Sequence, residues 1–149
     1  MNFIFISPQF PHTYWNFCSR LKKNGVNVLA IGDTPYDALS SQLKDSITEY
    51  YRVNNMESYD EMYRAVAFFA FKYGKIDWLE SNNEYWLEQD AKLRTDFNIT
   101  TGVDSKGIKK YKSKYEMKKY YIKAGVSVAR IHKVSDLKKA KKFIDEIGG

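Results

Sequence analysis

The chain carries a single cysteine, Cys18, so it forms no internal disulfide, and a lone thiol fits a reducing compartment. It has only two histidines, His12 and His132, and neither has a cysteine partner, so a zinc-type cluster is not expected. Apolar runs are short. The longest, residues 65–71, is far below bilayer-spanning length. Met1-Asn2-Phe3 carries no positive leader, so a cytoplasmic location is expected, away from secretion and membranes. Glycine is missing from the first turn, Ser7-Pro8-Gln9-Phe10-Pro11, which has two prolines instead. Proline lacks the N–H that would cradle a pyrophosphate, so a nicotinamide or flavin dehydrogenase is excluded. No internal repeat or low-complexity tract interrupts the chain.

What is present suits a folded α/β protein. The chain has 149 residues and 44% hydrophobic content, enough for an ordinary domain with a sizeable core. Its net charge of +6 is unevenly spread. Residues 106–149 hold 14 Lys/Arg against 4 Asp/Glu, whereas residues 1–105 hold 10 against 14. This asymmetry predicts two functional regions, one of which faces an anion. For any single lysine, a solvated surface position fits equally well.

Phe3–Ile6 and Val28–Ile31 are continuous apolar runs of the kind buried on both faces of a parallel sheet. Between them Tyr14, Phe17, Cys18 and Leu21 recur at helical spacing, and Asn24-Gly25 stops the helix. On that apolar stripe Cys18 reads as inert core. Residues 36–44 suit a short helix or loop, and Ile47–Val53, rich in tyrosine and β-branched residues, a third strand. Ser58 and Glu61 form a capping box for a helix with Met62, Val66, Phe69 and Tyr73 on one face. Gly74 ends it, and Ile76–Leu79 is a fourth strand. The alternation predicts a Rossmann-like, doubly wound parallel sheet. Ligands then bind beyond the carboxyl ends of the strands, at Ser7-Pro8-Gln9, at Gly32-Asp33 and at Ser81-Asn82-Asn83-Glu84. Asp33 can touch a ribose there or serve simply as a turn residue.

Beyond Gly102 the character changes. Asp104-Ser105 can cap a short helix through Tyr111. Ser113 and Glu116 form a second capping box for a helix ending at Ala124-Gly125, where Gly125 suits a left-handed C′ position. A strand is expected over Val126–Ile131, and then a helix capped by Ser135 with Leu137, Ala140, Ile144 and Ile147 on one face. Lys114 falls at a first helical position, where the helix dipole disfavours a cation. A lysine placed against local physics invites another reason, such as an anionic ligand.

In order and spacing these pieces resemble the opening of an ATP-grasp carboxylate–amine ligase, nearest to the carbamoyl-phosphate synthase large-subunit branch. The resemblance is carried by the polar turn Asn82-Asn83-Glu84, the helix bearing Leu93-Arg94, the lysine-bearing helix from Lys114 and its closing Ala124-Gly125-Val126. It implies a pre-ATP-grasp α/β domain over residues 1–103. Residues 104–149 would be a linker helix and the first strand–helix pair of the ATP-grasp N-terminal lobe, a fragment of something longer. It also implies ATP and Mg²⁺ as cofactors, and activation of a carboxylate as an acyl phosphate for attack by an amine or ammonia. Both substrates would be small molecules, and a homodimer stays open. Lys114 matches a lysine that reaches ATP. The catalytic residues, the second phosphate lysine and the metal carboxylates belong downstream of residue 149, so the chain alone is expected to be inactive.

Each of these residues also has a plainer reading. Asn82 or Asn83 can cap the following helix and Glu84 can answer its dipole, instead of lying on a substrate side with Ser7. Arg94 and Asp90 sit at i, i+4 spacing and read as a structural pair. His12 and His132 show no partner in the sequence. A rival class comes from lysines 106, 109, 110, 112, 114, 118, 119 and 123, which alternate with tyrosines 111, 115, 120 and 121. Such a helix can grip phosphates and stack bases, but it matches no nucleic-acid motif. Ile108, Tyr111, Tyr115 and Ile122 also fall near one face, as packing would require. A third reading is a regulatory α/β domain that binds a small ligand.

Overall fold

The first apolar run forms β1 (Asn2–Ile6) in a computed structural model, in which residues 1–148 are described. After it come α1 (Trp15–Lys23), β2 (Asn27–Gly32), α2 (Ser41–Ser46), β3 (Glu49–Arg52), α3 (Tyr59–Tyr73), β4 (Trp78–Glu80) and α4 (Leu87–Asp96). The four strands lie side by side in the order β3-β2-β1-β4, and all three pairings are parallel. Ile4 is flanked by Leu29 on one side and Leu79 on the other. The expected Rossmann-like α/β sheet is what forms, with β3 and β4 shorter than the apolar runs that announced them.

Alternate side chains of each central strand feed two separate cores. Phe3, Phe5, Val28 and Ala30 pack with Cys18 of α1 and Leu43 of α2. Ile4, Ile6, Leu29, Ile31 and Leu79 pack with Met62, Val66 and Phe69 of α3 and Leu93 of α4. Both faces of the sheet are thus covered by helices. Burying each of these large side chains stabilises the fold by about 1.5–3 kcal/mol. Cys18 is fully buried, and burial pushes its thiol up to about 12, so it stays protonated and inert.

Local signals start and stop the helices. Ser40 Oγ accepts from Leu43 N–H at 3.2 Å to open α2, after a short 3₁₀ turn at Tyr36–Ala38. Ser58 Oγ accepts from Glu61 N–H to open α3, but the Glu61 carboxylate turns away from the expected capping box. It accepts instead from Asn54 and Asn55 N–H, at 2.7 and 3.3 Å, and tethers the loop after β3. Gly74 ends α3 with φ +81°, a conformation that side chains resist.

The expected Asp90–Arg94 pair does not form as a contact. Arg94 is 2% exposed and donates to the carbonyls of Leu79, at 2.7 Å, and Val103, at 2.9 Å. Its ionic partner is Glu80, at 3.4 Å. The planar fork reaches a strand end and a loop together, whereas the Asp90 carboxylate is drawn to Ser81. Gly102, at φ +90°, makes room for this, since a Cβ there would meet the Arg94 side chain at 3.2 Å.

By contact the chain divides into two compact units, residues 1–108 and residues 109–149. The second unit holds α5 (Lys109–Lys112), α6 (Lys114–Lys123) and α7 (Leu137–Ile147). Ser113 Oγ caps α6 by accepting from Glu116 N–H at 3.3 Å. Its end is a Schellman motif: Gly125 at φ +74°, with Gly125 N–H donating to Ile122 O and Val126 N–H to Tyr121 O. Three expectations are corrected here. Residues 126–131 form no strand, and none of the described strands pairs with them. Asp136, not Ser135, caps α7, accepting from Lys139 N–H at 2.8 Å. Of the supposed packing face of the lysine-rich segment, Ile108 is buried, but Tyr111 and Ile122 are exposed. His132 does have a partner, stacking on Phe143 with ring centroids 5.3 Å apart. Among the described residues of this unit none is buried, and Leu137, Ile144 and Ile147 of α7 face outward.

Arg94→Leu is expected to destabilise the protein by about 3 kcal/mol in urea titration, because a buried carbonyl, a partly buried one and Glu80 lose their donor. Arg94→Lys is expected to restore only part of this, since an ammonium cannot span the same fork.

Candidate functional site

Three strand ends converge where the chain direction leaves the sheet. Ser7 follows β1 and is buried at φ +56°, with its N–H donating to Ile31 O at 2.8 Å. For a residue with a side chain this left-handed conformation costs roughly 1 kcal/mol and marks the position as special. Asp33 follows β2. Ser81 and Asn82 follow β4, with Asn82 at φ +53°.

A cleft of about 770 Å³ opens at the ends of β1 and β2. Ser7, Pro8, Gln9, Asp33 and Thr34 line its polar floor, and Trp15, Met56 and Trp86 line its apolar sides. Gln9 organises the floor. Its Nε2 donates to Asp33 Oδ1 at 3.0 Å, and its Oε1 is buried without a hydrogen-bond partner. Gly32 makes this possible. A Cβ there would sit 2.6 Å from Gln9 Oε1 and 2.7 Å from the Tyr50 hydroxyl, so any side chain would displace both. Tyr50 donates to Thr34 O at 2.8 Å, and burial followed by the charge of Asp33 pushes its hydroxyl up to about 12, which keeps it a donor.

Ser7 therefore lies in the cleft, and the other residues named on the substrate side do not. Asn82 borders a separate apolar groove beside Phe3, Phe17 and Trp78, and its carbonyl accepts from Tyr14 Oη at 2.5 Å. Glu84 is exposed in the turn before α4. That turn is shaped by Asn83, whose side-chain oxygen accepts from Tyr85 N–H at 2.9 Å. Neither Asn82 nor Asn83 caps α4, whose N-cap position is Trp86. Lys114 stands exposed at the first position of α6, in the other unit.

Nothing in the sequence marks Trp86 or the Asp90 carboxylate as a site feature, and Gln9 is marked only by its place beyond the end of β1. Asp90 is fully buried, and its Oδ2 accepts from Ser81 Oγ at 2.6 Å while Oδ1 has no partner. Burial is the main cause that lifts its carboxyl to about 7, and the Glu80 charge adds to it. The Ser81 hydroxyl and Arg94 oppose the rise. The same Ser81 Oγ accepts from Asn83 N–H at 3.2 Å, so the turn after β4 is tied to this carboxylate. Nothing in the spacing of residues 81 and 90 announces the contact.

No protein-family model matches the sequence, and no match to a curated protein was found. Solved structures do match. An L-amino acid ligase from Bacillus licheniformis superposes at TM-score 0.63 and 11% identity, over 98% of this chain and 42% of that one. The biotin carboxylase domain of a single-chain bacterial carboxylase superposes at TM-score 0.69 and 15% identity, over 100% of this chain and 35% of that one. Both are ATP-grasp proteins, whose N-terminal domain is Rossmann-like. The fold is theirs. The chain spans less than half the length of either ATP-grasp neighbour.

Asp90 makes stability fall with pH. Unfolded, the carboxyl ionises near 4, as carboxylates usually do. Folded, it holds its proton up to about 7, so stability is lost as pH rises across that window and then levels. Asp90→Asn keeps an acceptor for Ser81 and removes the charge. Its stability advantage over the parent is expected to grow between pH 4 and 7 to roughly 1–4 kcal/mol, read by thermal melting at stepped pH.

Proposed function

We propose that the chain is the N-terminal part of an ATP-dependent ligase that activates a carboxylate as an acyl phosphate for attack by an amine or ammonia. The ATP-grasp fold shared with an L-amino acid ligase and a biotin carboxylase domain is the observation that carries this reading. The uneven charge supports it, because residues 106–149 form the basic region that an anionic nucleotide needs. Residues 1–103 are then the pre-ATP-grasp domain, and residues 104–149 begin the ATP-grasp lobe. The chemistry resembles that of the carbamoyl-phosphate synthase branch.

Lys114 is the residue assigned to ATP. It sits at the N-terminus of a ten-residue helix, where free N–H groups favour an anion and a lysine adds a charged donor. When bound, ATP supplies the phosphoryl group that activates the carboxylate. Mg²⁺ fits this stretch poorly: among the described residues no group of three His, Cys, Asp or Glu side chains comes together. Its ligands, and the catalytic groups, are assigned downstream of residue 149. Ser7 stays on the substrate side, and Asn82 and Glu84 are assigned to the adjoining surface. Small carboxylates and amines are the substrates, in a cytoplasmic enzyme.

A nucleic-acid module is the second reading, favoured by the exposure of Tyr111, Tyr120 and Tyr121 among lysines. Lys110 lies 5.1 Å from the Tyr111 ring centre and Lys119 4.6 Å from that of Tyr115, so lysines already cover two of the rings a base would stack on.

Calorimetric titration with MgATP separates the readings. Lys114→Ala is expected to weaken ATP binding by about 1–3 kcal/mol, the scale of one charged hydrogen bond. Its melting temperature should match the parent's, since removing a cation from a helix start does not weaken the helix. Equal ATP affinity in both proteins would remove Lys114 from the site. Binding of single-stranded oligonucleotides with a steep salt dependence, and none of ATP, would favour the second reading.

A further inference from the structure

The cleft at the ends of β1 and β2 has a wall chemistry that selects one kind of head group. Among its lining side chains Asp33 is the only one with a fixed charge at neutral pH, and there is no lysine or arginine. His12, exposed, is the one other ionisable group there. The turn from Ser7 to Pro11 supplies two prolines and so few free N–H groups. A phosphate or carboxylate entering this cleft would find few donors and meet a like charge on Asp33.

A cation meets the opposite situation. Asp33 Oδ1 is held by Gln9 Nε2, and Oδ2 accepts no hydrogen bond from any described residue. The Arg52 guanidinium donates to the Asp33 main-chain carbonyl, at 3.2 Å, and not to the carboxylate. Gln9 thus aims the acid, and Gly32 lets Gln9 sit close enough to do so. Around this acid the walls are apolar and aromatic, with Trp15, Trp86, Met56, Leu39 and Leu43. Indole faces attract cations as well as apolar bodies. A volume of about 770 Å³ is within the range of small-molecule sites.

We propose that this cleft binds a small organic amine, its ammonium against the Asp33 carboxylate and its apolar body against Trp15 and Trp86. Gln9 is a positioning residue for the acid. The proposal deepens the ligase reading, which puts Ser7 of this cleft on the substrate side, and its test uses no nucleotide, so its failure is distinguishable from a failure of ATP binding.

Phenethylamine, 2-phenylethanol and phenylacetate share a phenyl ring and differ in head group. Each is titrated into the ¹⁵N-labelled protein while the three indole N–H resonances are followed. Phenethylamine is expected to shift the Trp15 and Trp86 signals and to leave Trp78, which borders a different groove, in place. It should bind at least about tenfold more tightly than the alcohol, with the carboxylate weakest. Asp33→Asn keeps an acceptor for Gln9 and should bring amine and alcohol to equal affinity, with an unchanged circular dichroism melt. Phenylacetate binding as well as the amine would overturn the proposal. So would an amine preference that survives in Asp33→Asn, or an amine that leaves the Trp15 and Trp86 signals unmoved.

Discussion

Parallel pairing on both edges of β1 leaves that strand without a solvent side, and its two faces must each find a helix layer. Phe3 and Phe5 commit one face to α1 and α2, while Ile4 and Ile6 commit the other to α3 and α4. Neither layer can be shed without exposing a row of large apolar side chains. The backbone can therefore turn polar only at the strand ends. Ser7, Asp33 and Ser81 occupy those ends, and the cleft opens at the first two. A fold built to bury one strand thus decides where its chemistry can stand.

The carboxyl end of β4 is held by a second constraint. Arg94 spans the Leu79 carbonyl, the Val103 carbonyl and the Glu80 carboxylate from a buried position, while Ser81 is held by Asp90. Two carboxylates and one guanidinium surround a strand of three residues. A buried acid beside another acid is costly as a charged group, and the cluster accepts that cost where the turn after β4 must keep its shape.

Much of this architecture is legible in the sequence because it rests on local rules. Continuous apolar runs announce buried parallel strands, and Ser58 and Ser113 announce helix starts, since a hydroxyl three residues ahead of a free N–H acts at short range. Gly74 and Gly125 announce helix ends for the same reason. Tertiary competition defeats the reading elsewhere. Asp90 has Arg94 one helical turn away, yet it bonds Ser81. The Glu61 carboxylate prefers two loop N–H groups to its own capping box. Residues 126–131 have the composition of a strand, but a strand is a relation between two segments, and composition describes only one. Of the site residues named from sequence, Ser7 reaches the cleft because strand-end position decides it. Gln9 is legible as a strand-end residue, but its hold on Asp33 is not, because that depends on the missing side chain of Gly32 on the neighbouring strand.

Residues 109–148 contain no buried side chain, and this has a consequence for how that unit holds its shape. Most of its order comes from interactions that close within a few residues: the Ser113 and Asp136 caps, the Schellman turn at Gly125 and the Lys119–Glu116 pair. The longer Arg130–Glu146 pair and the His132–Phe143 stack join side chains that are not buried. Interactions of such short reach can break one at a time. Amide hydrogens of α6 and α7 can therefore reach solvent through small local openings, each with its own modest free energy. Those of β1 and β2 must wait for two helix layers to part. The same chain thus contains a cooperative half and a segmental half, so it carries two different clocks for hydrogen exchange.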